Sequence, residues 1–136
     1  MKEIKGNQTV HLEDYDITVN KYLTYAQIQQ IANAVVAASA NDADDTWANR
    51  QTNIDMLTLY HATDISKEKL EEIGHDDLLT SGLIECARSQ IENYHEIYEA
   101  IDYIENNQRA INKLLKSLPK VLEETKGLQD LMKKHG

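Results

Sequence analysis

The sequence has few cysteine, proline and glycine residues, and each shortage excludes a kind of structure. Its single cysteine, Cys86, excludes an internal disulfide, so a reducing compartment is the simpler setting for the chain. One proline, Pro119, and 5 glycines are few chain breakers, which favours long helices over a sheet of many strands.

Long apolar runs are missing as well. The first residues, MKEIKGNQTVHLED, contain no apolar core of a signal peptide. The most apolar run, residues 28–40, is interrupted by Gln29, Gln30 and Asn33 and is too short to span a bilayer. The sequence therefore predicts a cytoplasmic protein without a membrane partner.

Motifs of catalytic and cofactor sites are also absent from the sequence, including phosphate-binding glycine loops, zinc patterns and nucleophile elbows. The nearest approach is a pair of Glu-x-x-His steps, Glu72 to His75 and Glu92 to His95, a spacing that facing helices use in two-metal centres. Gly74 is expected to end a helix within the first step. The side chains of the second step are expected to point away from the apolar face of their helix. We therefore predict no metal, no cofactor and no enzymatic activity.

What the chain does contain is charge, unevenly placed. Apolar residues make up 41% and charged residues 27% of its 136 residues, as expected for one domain with one modest core. Residues 1–65 carry 4 basic and 9 acidic side chains, residues 66–105 carry 3 and 11, and residues 106–136 carry 7 and 3. An acidic body with a basic tail favours association with itself or with a complementary partner. The alternative is that both regions are simply solvated surfaces.

The fold class predicted from these patterns is mainly α, a single compact domain over residues 1–136. Residues 1–23 are expected to form a small hairpin, because apolar and polar residues alternate around Val10 and Val19. Thr24 and Gln27 have the spacing of a capping box that starts the first helix. We expect an acidic helical body at 24–105 and a basic helical tail at 106–136. The predicted helices cover about 24–39, 46–62, 67–73 and 83–117, with a break at Pro119.

The core of this fold is predicted from residues at helical spacing. Trp47, Ile54, Leu57 and Tyr60 form the expected inward face of the second helix. The residues expected to be buried overall are Ile31, Val35, Leu57, Ile91, Tyr94 and Ile101.

The long last helix is the predicted binding element, because its acidic first half and basic second half offer opposite charges to a partner. The basic residues of this helix are too few, beside an acidic body, to favour binding of nucleic acid. We therefore expect a protein partner or another copy of the chain, with Tyr103 as an aromatic contact. The predicted partner-binding residues are Glu92, Glu96, Glu99, Tyr103, Arg109, Lys113, Lys116 and Lys120.

Several phrases carry a family resemblance: KYLTYAQIQQIANAVV, WANRQTNIDMLTLYHATDI and DLLTSGLI, followed by a long charged helix. Over about residues 10–120 the chain resembles small acidic proteins encoded by tailed phages and prophages of Gram-positive bacteria. The resemblance implies non-enzymatic work in the host cytoplasm or the virion, and virion morphogenesis in the head–tail or tail module fits it first.

The second job that fits the resemblance is inhibition of a host defence nuclease, as anti-CRISPR proteins do. In that case the partner is a host defence effector rather than a phage structural protein. A row of carboxylates would then block a nucleic-acid site, formed by Glu85, Glu92, Glu96, Glu99, Asp102 and Glu105.

Overall fold

The computed structural model describes the backbone of residues 8–41 and 47–135, and the side chains of residues 8–39 and 49–117. Within these residues the protein is mainly α-helical, with an N-terminal hairpin and a long C-terminal helix, as predicted. The elements are β1 (Thr9–Leu12), β2 (Ile17–Asn20), α1 (Tyr25–Asn41), α2 (Trp47–Ala62), α3 (Lys67–Ile73), α4 (His75–Thr80), α5 (Leu83–Gln90) and α6 (His95–His135).

The chain divides into two compact units, Met1–Asp102 and Tyr103–Gly136. The first contains the hairpin, α1 to α5 and the beginning of α6, and it holds the hydrophobic core. The second consists of the remainder of α6 within the described residues. No helix of the described residues is both long and apolar enough to cross a membrane.

The N-terminal hairpin is antiparallel, with Val10 opposite Val19 and Leu12 opposite Ile17. Leu12, Ile17 and Val19 bury their side chains on one face, which follows from the period of two along a strand. Two strands alone are marginal in water. Val19 also forms a bridge with Thr63 just after α2, so the hairpin is tied to the helices.

Helix α1 begins at the predicted capping box. The Thr24 N–H donates to Gln27 Oε1 over 3.0 Å, and the Gln27 N–H donates to Thr24 Oγ1 over 3.1 Å. These two bonds satisfy backbone donors that the first turn leaves free. The helix then buries a stripe at spacings of three and four residues: Ile28, Ile31, Ala32, Val35 and Val36.

The inward face of α2 differs from the prediction. Tyr60 is 48% exposed and Leu57 is half-buried, whereas the polar Asp55 and Thr58 are each 4% exposed. The apolar pattern predicted the inward face of α2 incorrectly, because two of the inward residues, Asp55 and Thr58, are polar. Ile54 is buried as predicted, and the side chain of Trp47 lies outside the described residues.

Short helices α3 and α4 meet at Gly74. The Ser66 side chain accepts a hydrogen bond from the Lys69 N–H over 3.2 Å and caps α3. Gly74 ends that helix at φ 84°, a conformation that glycine adopts without a Cβ penalty. Helix α4 begins at His75 directly after Gly74, and Asp76 and Asp77 lie in its first turn.

The prediction of one helix from Leu83 to Ser117 is wrong, because α5 ends at Gln90 and α6 begins only at His95. The Asn93 side chain causes the break. Its Oδ1 accepts from the Leu23 N–H and its Nδ2 donates to the Leu23 carbonyl, each over 2.9 Å. The backbone of the 91–94 connection is thereby held against the exit of the hairpin.

Helix α6 continues through Pro119 to His135, so the predicted break at Pro119 is wrong. Proline fixes φ near the helical value and removes one donor, and here the helix forms despite that loss. Of the predicted core, Ile31, Val35, Ile91 and Ile101 are buried, while Leu57 and Tyr94 are half-buried.

Candidate functional site

The second unit carries large apolar side chains in water. Ile111, Leu114 and Leu115 are 55%, 65% and 55% exposed, and their spacing of three and four residues places them on one side of α6. We call these three residues the tail stripe. Fully burying a side chain of this size stabilises a structure by roughly 1.5–3 kcal/mol. Covering the tail stripe with another apolar surface would therefore stabilise the resulting complex.

Basic residues lie on the opposite side of the same helix. At about 100° per residue, Arg109, Lys113 and Lys116 fall roughly opposite the centre of the tail stripe, and all three are exposed. We call them the basic face. Tyr103, which is 68% exposed, falls beside the tail stripe instead. The predicted binding residues of the tail therefore occupy two different sides of α6, and the side chain of Lys120 lies outside the described residues.

The predicted acidic binding residues Glu92, Glu96 and Glu99 belong to the first unit, and two of them have hydrogen-bond partners within it. The Tyr22 hydroxyl donates a hydrogen bond to the Glu92 carboxylate, and this bond is the main reason that the pKa of Tyr22 is raised. Asn93 Nδ2 donates to Glu96 Oε2 over 3.0 Å. Glu99 is exposed. Two of these carboxylates therefore help to fix the connection before α6.

The carboxylate row of the inhibitor hypothesis does not lie on one helix. Glu85 is on α5, Glu92 lies in the connection, and Glu96, Glu99 and Asp102 are on α6. An even row along one helix face would require that α5 and α6 were continuous.

A buried polar network centres on Asp55 of α2, which sequence patterns did not indicate. His75 Nε2 lies 3.0 Å from Asp55 Oδ2, and Gln51 Nε2 donates to Asp55 Oδ1 over 2.8 Å. The Arg88 guanidinium lies 4.0 Å from the same carboxylate. A buried carboxylate is stable only when paired and hydrogen-bonded, and here one carboxylate joins α2, α4 and α5. His75, considered in the sequence as a metal ligand, serves this network.

Two tyrosines extend the network to the start of α6. The Tyr98 hydroxyl donates to Gln51 Oε1 over 2.8 Å and lies 3.0 Å from the Tyr94 hydroxyl. Their rings meet edge to face with centroids 5.5 Å apart, a favourable aromatic geometry. Arg88 lies over the Tyr94 ring, 5.7 Å from its centroid. These contacts explain why Tyr94 is only half-buried, since its hydroxyl belongs to a polar layer.

The space beside this network is small. A cavity of about 10 Å³, measured as the room for the centre of a water-sized sphere, is lined by Asp55, Thr58, Arg88 and Tyr94 among others. That volume accommodates about one water molecule. Among the described residues, no group of three or more His, Cys, Asp or Glu side chains is arranged to hold a metal ion. The geometry supports a stabilising role for the network.

A wider groove lies between α1, α2 and α3, with a volume of about 440 Å³. Apolar side chains line most of it, and Lys67 and Glu71 stand at its rim. The groove accounts for the exposure of Tyr60 and the half-burial of Leu57, because both side chains border it. Its apolar lining consists of Ala34, Ala38, Met56, Leu57, Tyr60 and Leu70.

The Tyr98 phenol predicts a pH dependence of stability. Burial, followed by the hydrogen bond with Tyr94, raises the pKa of Tyr98 above its ordinary value of 10.0. The unfolded chain therefore releases this proton first, so the stabilisation is complete below pH 10 and is lost as the pH rises further. We expect the free energy of unfolding of the parent to fall more steeply above about pH 10 than that of Tyr98→Phe. Denaturant unfolding at a series of alkaline pH values measures the slopes, and equal slopes for the parent and Tyr98→Phe would contradict the prediction.

Comparison with known proteins adds no relative to this description. No protein-family model matches the chain, and no curated protein and no solved structure matches it.

Proposed function

We propose that this chain is a non-enzymatic protein that works by binding other protein chains through the tail stripe. The resemblance to phage proteins implies the setting, which is virion morphogenesis in the head–tail or tail module. The single observation that carries the proposal is the exposure of Ile111, Leu114 and Leu115, at 55–65% each, on one side of a helix.

The energetics of an exposed helix support this proposal. Helices gain most of their stability from packing an apolar face, yet every described side chain of residues 106–117 is exposed. An amphipathic helix of this kind suits the binding mode in which an apolar face lies against another helix or in a groove. The tail stripe would thus gain apolar burial when a partner covers it.

The basic face has a different role in this proposal. Because Arg109, Lys113 and Lys116 lie opposite the tail stripe, they remain at the rim or in water when the stripe is covered. Charges in such positions mainly change the association rate and its dependence on salt. The tail stripe, by contrast, should determine how long a complex lasts.

A pair of matched triple variants tests the proposal. The stripe variant replaces Ile111, Leu114 and Leu115 with Ser, and the control replaces Arg109, Lys113 and Lys116 with Ser. Both remove three long side chains from the same turns of α6. Each protein is used to capture partners from cells in which the chain is produced, and bound proteins are quantified by mass spectrometry after circular dichroism has confirmed equal helix content.

We expect the stripe variant to lose the partners that the parent captures. The control should retain them at moderate salt, with slower association at low salt. If the stripe variant and the parent capture the same proteins in the same yield, the proposal is wrong.

A further inference from the structure

The apolar residues of the tail repeat every seven positions. From Ile104, half-buried at the start of the second unit, one set recurs at every seventh residue, and a second set begins three residues later. In the usual heptad notation these are positions a and d, and this alternation of three and four residues is typical of two-stranded coiled coils. The a set is Ile104, Ile111, Leu118, Thr125 and Met132, and the d set is Asn107, Leu114, Val121, Leu128 and His135.

The lysine and arginine residues of the tail fall outside positions a and d, which form the seam of a coiled coil. All 7 basic residues of residues 106–136 fall at the outer positions b, c and f. Pro119 and Gly127 also fall at outer positions, b and c. A helix with the same repeat can therefore approach the seam without meeting a like charge. The basic residues are Arg109, Lys113, Lys116, Lys120, Lys126, Lys133 and Lys134.

The positions e and g that flank the seam affect the choice of partner. Charged residues at e and g normally direct a coiled coil to a partner of opposite charge. In the described part of the tail these positions are uncharged, so no charge pairing there selects a different helix. They are occupied by Tyr103, Gln108, Ala110, Leu115 and Ser117.

We infer that the tail stripe pairs with the tail stripe of a second copy of this chain, forming a two-stranded coiled coil from Ile104 onward. This inference rests on the proposed function, since it names the partner of the same surface. A second copy carries the same repeat over the same length, with Ile at a and Leu at d around Ile111 and Leu114, a combination that favours two strands. The polar Asn107 interrupts the apolar d set and so limits the affinity.

Sedimentation equilibrium of the purified full chain tests the inference over a range of concentrations. The parent should change from monomer to dimer as concentration rises. Leu114→Lys places a charge in the seam and should weaken the dimer roughly tenfold or more. Asn106→Lys adds the same charge at the outer position c and should leave the dissociation constant unchanged.

A variant that is expected to gain affinity distinguishes a weakened dimer interface from a misfolded tail. Asn107→Leu replaces the polar d residue with an apolar one and should tighten the dimer roughly tenfold or more. An unfolded or damaged tail cannot produce that result.

The inference is overturned if the parent and Asn107→Leu are both monomers at every concentration, or if Leu114→Lys and Asn106→Lys have equal effects. The proposed function fails separately. A monomeric chain whose stripe variant still loses captured proteins would contradict the second copy as partner while the binding surface stands. A monomeric chain whose stripe variant captures the same proteins as the parent would contradict both.

Discussion

Asp55→Ala is expected to lower the free energy of unfolding by about 3 kcal/mol, because the change removes a buried carboxylate on which the half-buried Gln51 and His75 side chains converge. Asp55 is 4% exposed, and its carboxylate receives Gln51 Nε2 and lies 3.0 Å from His75 Nε2. Arg88 contributes less, because its side chain is 37% exposed and 4.0 Å away. Chemical denaturation at neutral pH measures the difference.

Two further variants serve as controls for Asp55→Ala. Asp55→Asn keeps the shape and an acceptor for Gln51, so it should cost less than Asp55→Ala. Asp102→Ala removes an exposed carboxylate and should change stability by no more than about 0.5 kcal/mol. If Asp55→Ala is as mild as Asp102→Ala, the network does not hold α2, α4 and α5 together.

Asn93→Ala is expected to cost about 2–4 kcal/mol, since both the N–H and the carbonyl of Leu23 lose their hydrogen bonds to this side chain. The Leu23 side chain is 3% exposed, so water reaches this backbone poorly. The loss should be accompanied by freer exchange of the amides around Leu23, because the hairpin exit is no longer tied to the 91–94 connection. Thermal or denaturant unfolding gives the energy, and hydrogen exchange shows its location.

Asn33→Ala is the matched control for this effect. It removes the same side chain from an exposed position of α1, and it should be neutral within about 0.5 kcal/mol. Equal stabilities of the two variants would mean that the Asn93 bonds do not cause the interruption between α5 and α6.

Local signals in the sequence predicted much of this fold. The capping box at Thr24 and the helix end at Gly74 each depend on residues within three or four positions of one another, and both are present in the structure. The hairpin was predicted for the same reason, because its alternation is contained within two short strands.

Long-range contacts explain most of what the sequence did not predict. The interruption before α6 depends on Asn93 meeting Leu23, 70 positions earlier, and no glycine or proline marks it. No residue near Asp55 in the sequence shows that His75 and Arg88 converge on its carboxylate. The inward face of α2 was misplaced for the same reason.

The proposed binding surface was predicted only in part. The sequence spacing places Ile111, Leu114 and Leu115 on one side of a helix, but it does not show whether they are exposed. The predicted acidic residues Glu92 and Glu96 instead have hydrogen-bond partners within the first unit. Their residue types do not distinguish a structural carboxylate from one that meets a partner.

Amide hydrogen exchange during dilution tests directly whether a second copy covers the tail stripe. Exchange in residues 103–117 is compared across a roughly hundredfold range of protein concentration, with the buried stretch around Ile31 of α1 as reference. If a second copy covers the tail stripe, protection of residues 103–117 falls on dilution while the reference does not change. Equal protection of residues 103–117 at every concentration would contradict this inference.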